Sequence, residues 1–385
     1  MHAITDSALT TVKEWFEENF RSRGELGASV SIWQNGIEVL SLAHGFCDRQ
    51  STRPWTADTL VPVFSSTKAP AAVCCLMALE EAGLPLDSAV SEVWPEFVGG
   101  GKGEMQFAHL LSHTAGLCAM DERVPIFNYE AVVEALERQV PLWEPGTKQG
   151  YHARTFGFLM DEIVRRITGV DSLGLYFRDT FATPMGLDFW IGLPEQHWPR
   201  VSPVYPGRIS IANSDQPFLK AYNNSSSLTH RTFVSPFGLN AVSEYNTPEL
   251  WAPGFASMGG VGTAHGLGQF YAMLAQGGLW KGQRLVSEAV LKQLGHTLSQ
   301  EEDSVLLTPI AFAAGVMQDP LSEDGSKLRQ HFGPSLTAFG HPGAGGSLCF
   351  ADPENRIALA YVMNQMEFGT LPGPKVLGMV ERLYA

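Results

Sequence analysis

Positive charge is scarce in this chain of 385 residues. Twenty-six lysines and arginines stand against 40 aspartates and glutamates, for a net charge of −14. Nucleic acids and anionic membranes are held by basic patches, so neither is expected as a partner. Cysteine is scarce too. The five, Cys47, Cys74, Cys75, Cys118 and Cys349, include no Cys-x-x-Cys pair, which leaves a zinc ribbon or a redox dithiol without support. Their number is odd, and the adjacent Cys74 and Cys75 cannot both face one partner. They read as reduced thiols in a reducing compartment. No stretch approaches the roughly 18 apolar residues of a membrane span. Asp6, Lys13 and Glu14 interrupt the N-terminal segment where a secretory leader would be apolar. A soluble, cytoplasmic protein is the expectation. Repeats and low-complexity tracts are absent.

What is present is an ordinary globular composition, 44% hydrophobic and 17% charged, long enough for a large core or two lobes. Leu9, Val12, Phe16 and Phe20 recur at helical spacing, which predicts an amphipathic helix over residues 5–20. Two β-rich runs flank Asn35-Gly36, a hairpin signal. Residues 107–160 read as mostly helical, with breaks at Gly116 and Pro145-Gly146. The stretch 192–254, rich in Pro, Asn, Ser and aromatic residues, reads as long ordered loops facing substrate. A glycine-rich turn feeds a helix at 259–278, but the last glycine of a dinucleotide fingerprint is missing. Two strands around Asp352-Pro353-Glu354-Asn355 and a helix over 373–384 close the chain. Strands at both ends with helices between them predict a sheet domain from residues 1–64 and 255–385 and a mostly helical domain from 65–254.

The chemistry concentrates at V-F-S-S-T-K-A-P-A-A-V-C-C-L-M-A-L, residues 63–79. A helix apolar on all sides belongs in a core, yet Ser65 and Lys68 stand at its start. Three residues apart, they share a face. Ser65 at the helix N-terminus faces free N–H groups that favour developing negative charge. Lys68, one turn deeper among Phe64, Ala71, Ala72 and Cys75, is desolvated, and its lowered pKa lets it take a proton from a serine hydroxyl. About one Ser-x-x-Lys is expected by chance in such a chain, and an N-cap serine with a snorkelling lysine would look the same. The apolar helix that follows is the context the chemistry needs.

Three further motifs occur in order: L-L-S-H-T-A-G-L at 110–117, W-x-P-G-T-x-x-G-Y-H-A at 143–153, and F-G-H-P-G-A-G-G-S at 339–347. With F-S-S-T-K they resemble the serine β-lactamase and penicillin-binding-protein superfamily, and within it the family VIII carboxylesterases, which share the class C β-lactamase fold. The resemblance spans nearly the whole chain and is weakest over 200–250. It implies an α/β fold of the α+β type, with an antiparallel sheet built from both termini, flanked by helices, and a helical lobe. The active site would lie at the junction. By position, Ser65 matches the acylated serine, Lys68 the motif lysine, and Tyr151 the tyrosine of the Tyr-x-Asn element. A tyrosine beside a lysine ammonium has a lowered pKa and relays protons. His341-Pro342-Gly343 stands where β-lactamases carry Lys-Thr-Gly. Gly343 lets the strand run beside substrate, His341 orients Tyr151 or polarises substrate, and the N–H groups of Ser65 and Ala344 form the oxyanion hole.

Two departures set the substrate class. Ala153 replaces the asparagine that holds a β-lactam side-chain amide, and His341 replaces the lysine that attracts its carboxylate. The resemblance therefore implies a carboxylesterase acting on uncharged esters without a cofactor. Rivals are a β-lactamase or D-amino-acid peptidase on the same machinery, an acyltransferase using the same acyl-enzyme, and a non-catalytic relative that only binds. Natural ester, acyl-chain length and homo-oligomerisation stay open. His109 and His113 have metal-ligand spacing, but no third ligand is evident. Arg165 and Arg166 read as an ion-paired helix face.

Overall fold

The computed structural model describes residues 2–207 and 216–385. An eight-stranded, wholly antiparallel sheet takes its strands from the two ends of the chain. The first hairpin supplies β1 (Gly27–Gln34) and β2 (Ile37–Gly45). The C-terminal part supplies β3 (Ser299–Glu302), β4 (Pro309–Phe312), β5 (Met317–Gln318), β6 (Phe339–Pro342), β7 (Leu348–Asp352) and β8 (Ile357–Met363). Their order is β2-β1-β8-β7-β6-β5-β4-β3. The hairpin turns at Asn35 (φ 53°) and Gly36 (φ 76°), the left-handed pair that Asn-Gly supplies at little cost.

Helices cover both faces of the sheet, so its central strands do not alternate apolar with polar. They alternate between two apolar faces instead. In β8, Ile357, Leu359, Tyr361 and Met363 face one core cluster, and Ala358, Ala360 and Val362 face the other. The first face is covered by α1 (Asp6–Ser22), through Val12 and Phe16, and by the last helix, α5 (Pro374–Leu383). The small residues of the second face admit α4 (Ala264–Ala275). There a Cβ on Gly268 would stand 2.7 Å from Ser31 Oγ, so glycine sets that approach.

The buried helix α2 (Lys68–Glu81) packs against α3 (Thr155–Thr168). Every residue of α2 from Lys68 to Leu79 except Met77 is buried, as an all-apolar helix requires. A short second sheet pairs Val61–Pro62 and Phe189–Ile191 with Gly260–Gly262, so the glycine run expected as a turn is a central strand. The helical expectation for 107–160 is corrected. Only Phe107–Leu111, Tyr129–Arg138 and α3 are helical. His113 (φ 60°) and Gly116 (φ 72°) adopt left-handed conformations that no α-helix passes through.

The stretch 192–254 holds short helices, including Pro217–Tyr222, Leu228–Val234 and Pro248–Trp251. Residues 208–215 of it lie outside the described residues. The buried Arg154 guanidinium anchors this stretch, donating to the carbonyls of Pro236 (2.7 Å), Gly238 (2.7 Å) and Leu239 (2.9 Å). Arg165 and Arg166 are ion-paired, Arg166 with Glu162 at 2.7 Å and Glu96 at 2.6 Å. All five cysteines are free and buried. Among the described residues no helix is long and apolar enough to cross a membrane.

Candidate active site

Ser65 does not open the α-helix directly. It begins a 3₁₀ turn, Ser65–Thr67, and α2 starts at Lys68. The residue before it, Phe64, has φ 50° and ψ −130°, a costly conformation for a side chain with a Cβ, on the order of 1–3 kcal/mol. The surroundings impose it. The Phe64 ring packs on Tyr245 at 4.8 Å, and Thr67 Oγ1 donates to Phe64 O (2.5 Å) while accepting the Gly260 N–H (2.9 Å). The kink swings the chain from strand to helix in one residue. It leaves Ser65 partly exposed between buried neighbours.

Lys68 is fully buried. Its Nζ has three donors and three oxygen acceptors: Ser65 Oγ at 3.4 Å, Ala153 O at 2.9 Å and Ser257 O at 2.9 Å. None is a carboxylate. The ammonium also stands 4.8 Å from the centre of the Tyr151 ring. Among the described residues no counter-charge faces it, and burial pushes the lysine pKa well below its usual value. Sequence reasoning foresaw the burial but not Ser257, because a backbone carbonyl leaves no mark in a sequence. Ser257 also lines a mostly apolar cavity with Ile126, Phe127, Phe158, Pro253 and Phe255, bordered by Asp161, Arg165 and Asp171.

Tyr151 is buried, and Ser65 lies near enough to act on its phenol. The expectation of a lowered pKa is corrected. Burial raises it, and the negative Asp303 adds to the rise, outweighing the opposing influence of Ser65. A lysine itself pushed toward neutrality supplies little positive charge to oppose this. Burial thus favours the protonated phenol and the neutral amine.

Two imidazoles flank the Tyr151 ring, His113 with its centroid at 5.1 Å and His341 at 6.0 Å. His341 Nδ1 lies 2.7 Å from Pro342 O. A carbonyl only accepts, so Nδ1 carries the proton and Nε2 is bare. That Nε2 is buried without a partner. Burial and Lys68 push the His341 pKa down to about 3, so the ring is a neutral acceptor. It cannot polarise a carbonyl by donation. His113 Nδ1 accepts the His152 N–H at 3.0 Å, and His109 Nδ1 accepts the Gln106 N–H at 3.2 Å. The two histidines at metal-ligand spacing thus face separate surroundings.

Hydroxyls tie the Ser65 turn to strand β6 and the loop after it. Ser66 Oγ donates to His341 O (3.1 Å), and Ser347 Oγ donates to Val63 O (3.1 Å). Between them, a Cβ on Gly343 would fall 2.2 Å from Val63 O and 2.1 Å from Ser347 Oγ. Glycine is required there by backbone contact. The next residue, Ala344, is partly exposed, like Ser65. Among the described residues neither the Ser65 nor the Ala344 N–H donates a hydrogen bond within the protein. Ser65, Lys68, Tyr151, Ala153, His341, Gly343 and Ala344 thus converge, although up to 279 positions separate them (344 − 65).

The Beta-lactamase family profile matches residues 12–373. The chain belongs to the Beta-lactamase family. A relative, the esterase/beta-lactamase LipL of Mycobacterium tuberculosis, is 29% identical over 367 residues, 94% of this chain and 82% of LipL. The crystal structure of a family VIII carboxylesterase superposes with a TM-score of 0.86 at 32% identity, covering 100% of this chain and 98% of the other. A penicillin-binding-protein homologue from Caulobacter crescentus gives 0.84 at 32% identity over the same shares. This member of the Beta-lactamase family has the β-lactamase/transpeptidase-like fold, with its antiparallel sheet built from both termini.

Proposed function

We propose that the protein is a carboxylesterase working through an acyl-enzyme on Ser65. The observation that carries this reading is a buried lysine with no carboxylate partner among the described residues, 3.4 Å from the hydroxyl of a partly exposed serine. Neutral Lys68 takes the Ser65 proton as Oγ attacks the ester carbonyl. The N–H groups of Ser65 and Ala344, which have no partner among the described residues, stabilise the oxyanion. Tyr151, held in its protonated form, gives its proton to the departing alkoxide and is reprotonated from Lys68. Water then attacks the acyl-enzyme with the same pair as base. No cofactor enters this sequence. His341 offers its bare Nε2 as an acceptor at the edge of the site, and five buried thiols fit a reducing, cytoplasmic setting.

The side chains at 153 and 341 favour esters over β-lactams. A charge-assisted bond to a substrate carboxylate contributes about 1.5–3 kcal/mol. A neutral His341 lacks it, which is a factor of roughly 10–100 in kcat/KM. The Ala153 methyl offers nothing to an amide side chain. Purified protein is expected to hydrolyse p-nitrophenyl butyrate with a kcat/KM at least ~100-fold above that for the cephalosporin nitrocefin. Equal or better turnover of nitrocefin would make the chain a β-lactamase and overturn the reading of both positions. The family VIII carboxylesterase structure favours the ester side, whereas LipL is named for both activities. An acyltransferase using the same acyl-enzyme would be recognised by partition to an added alcohol.

A further inference from the structure

Asp303 is fully buried, and among the described residues no basic side chain pairs with it. Burying a carboxylate is costly unless its oxygens are satisfied. Here they are satisfied entirely by N–H groups. One oxygen accepts three backbone N–H bonds, from Tyr151 (3.1 Å), Val305 (2.9 Å) and Leu306 (2.8 Å). The other accepts Gln149 Nε2 at 3.3 Å. Only a carboxylate offers acceptors at both atoms. The turn that carries Asp303 joins β3 to β4 and is closed by its own backbone, with Asp303 N–H on Thr308 O at 3.0 Å and Leu307 N–H on Asp303 O at 2.7 Å. Ser304 N–H reaches across to Gln149 O at 3.0 Å. Residues 149–151 are thus sewn to the edge of the large sheet.

The same turn also fixes the Tyr151 ring. It leads into β4, whose last residue, Phe312, lies parallel to that ring with centroids 6.2 Å apart and planes 2° apart. Main chain and ring are therefore held from one element.

We propose that Asp303 is the positioning residue for Tyr151, its carboxylate clamping the Tyr151 main chain to the β3–β4 turn and so setting where the phenol stands relative to Ser65. The inference rests on the proposed role of Tyr151 as proton donor to the leaving group. A phenol displaced by even 1 Å costs proton transfer heavily. Substrates that need the proton pay most. Ethoxide leaves poorly without one, whereas p-nitrophenolate leaves unaided.

The test compares kcat/KM on ethyl butyrate and p-nitrophenyl butyrate for wild type, Asp303→Ala, Asp303→Asn, Tyr151→Phe and the double variant Tyr151→Phe/Asp303→Ala. Asp303→Ala is expected to lose ~100-fold on the ethyl ester and less than ~5-fold on the aryl ester, mostly in kcat. In the Tyr151→Phe background the same change is expected to add less than ~2-fold. Asp303→Asn keeps the oxygen that accepts three N–H groups and should recover at least ~10-fold of the ethyl-ester loss. Equal losses on the two esters, or losses that multiply with Tyr151→Phe, overturn the proposal, since damage to the fold at large would not select by leaving group. Should Asp303→Ala fail to fold, Asp303→Asn decides alone. It should lose about 3–10-fold on the ethyl ester and under ~2-fold on the aryl ester, and no selectivity overturns the proposal. A Ser65→Ala control separates the failures. If it turns over esters like wild type, the reading of the site falls. If it is dead and the leaving-group pattern is missing, only the role of Asp303 falls.

Discussion

Ser65→Ala is expected to lower kcat/KM for p-nitrophenyl butyrate by on the order of 10⁵-fold, because losing a nucleophile removes the covalent route entirely. The fold should not notice. Ser65 is partly exposed, and the pairing of its Oγ with Lys68 is long, at 3.4 Å. A partly exposed serine with so little bonding contributes within about 0.5 kcal/mol, so thermal unfolding of the variant should overlay that of wild type. The strain at Phe64 (φ 50°) belongs to the backbone and persists in the variant. Ester turnover within tenfold of wild type, with the fold intact, would mean that another group is the nucleophile.

Lys68→Met carries the second large effect. Removing the base should cost about 10³–10⁴ in kcat/KM. Methionine is close in volume and lacks the charge, so the core at 68 stays filled. Lys68→Arg should not rescue activity, since a guanidinium does not give up its proton near neutral pH. The pH profile supplies the independent check. Burial lowers the Lys68 pKa, so the free amine, the active form, exists at lower pH than in an exposed lysine. Activity should rise with pH through that pKa and fall about tenfold per unit below it. His152 and His341, each pushed down to about 3 by burial, are neutral across this range and add no limb of their own. Residual activity of Lys68→Met should therefore be flat where wild type slopes. An acid limb that persists unchanged in Lys68→Met would assign the titration to another group.

The parts of this arrangement that showed in the sequence are those in which a side chain does the work in a local pattern. Ser65 and Lys68 are three residues apart at the start of an apolar helix, and Asn35-Gly36 marks its hairpin. Tyr151, His341 and Ala344 carried weight only through four ordered motifs and the family they resemble. Backbone atoms and long-range encounters did not show. The Lys68 amine rests on the carbonyls of Ala153 and Ser257, and a carbonyl is the same in every residue. Asp303 looks like any turn aspartate until the fold brings it 152 positions back to the Tyr151 N–H (303 − 151). The raised pKa of Tyr151 escaped for the same reason. A lysine neighbour could be foreseen, but how deeply both groups are buried is set by the tertiary fold. The overreach at 107–160 has a local cause. The break at Gly116 is expected, but the left-handed His113 and the non-helical runs at 112–128 and 139–154 leave far less helix than the mostly helical reading.

The most direct test of the account is the acyl-enzyme itself. Wild type would be mixed with excess p-nitrophenyl butyrate, quenched in acid within the first turnovers, and measured by intact mass and peptide mapping. The account predicts a mass gain of one butyryl group on the peptide that contains Ser65, absent from Ser65→Ala. A butyryl group mapped to any other residue, with Ser65 unmodified, would contradict it.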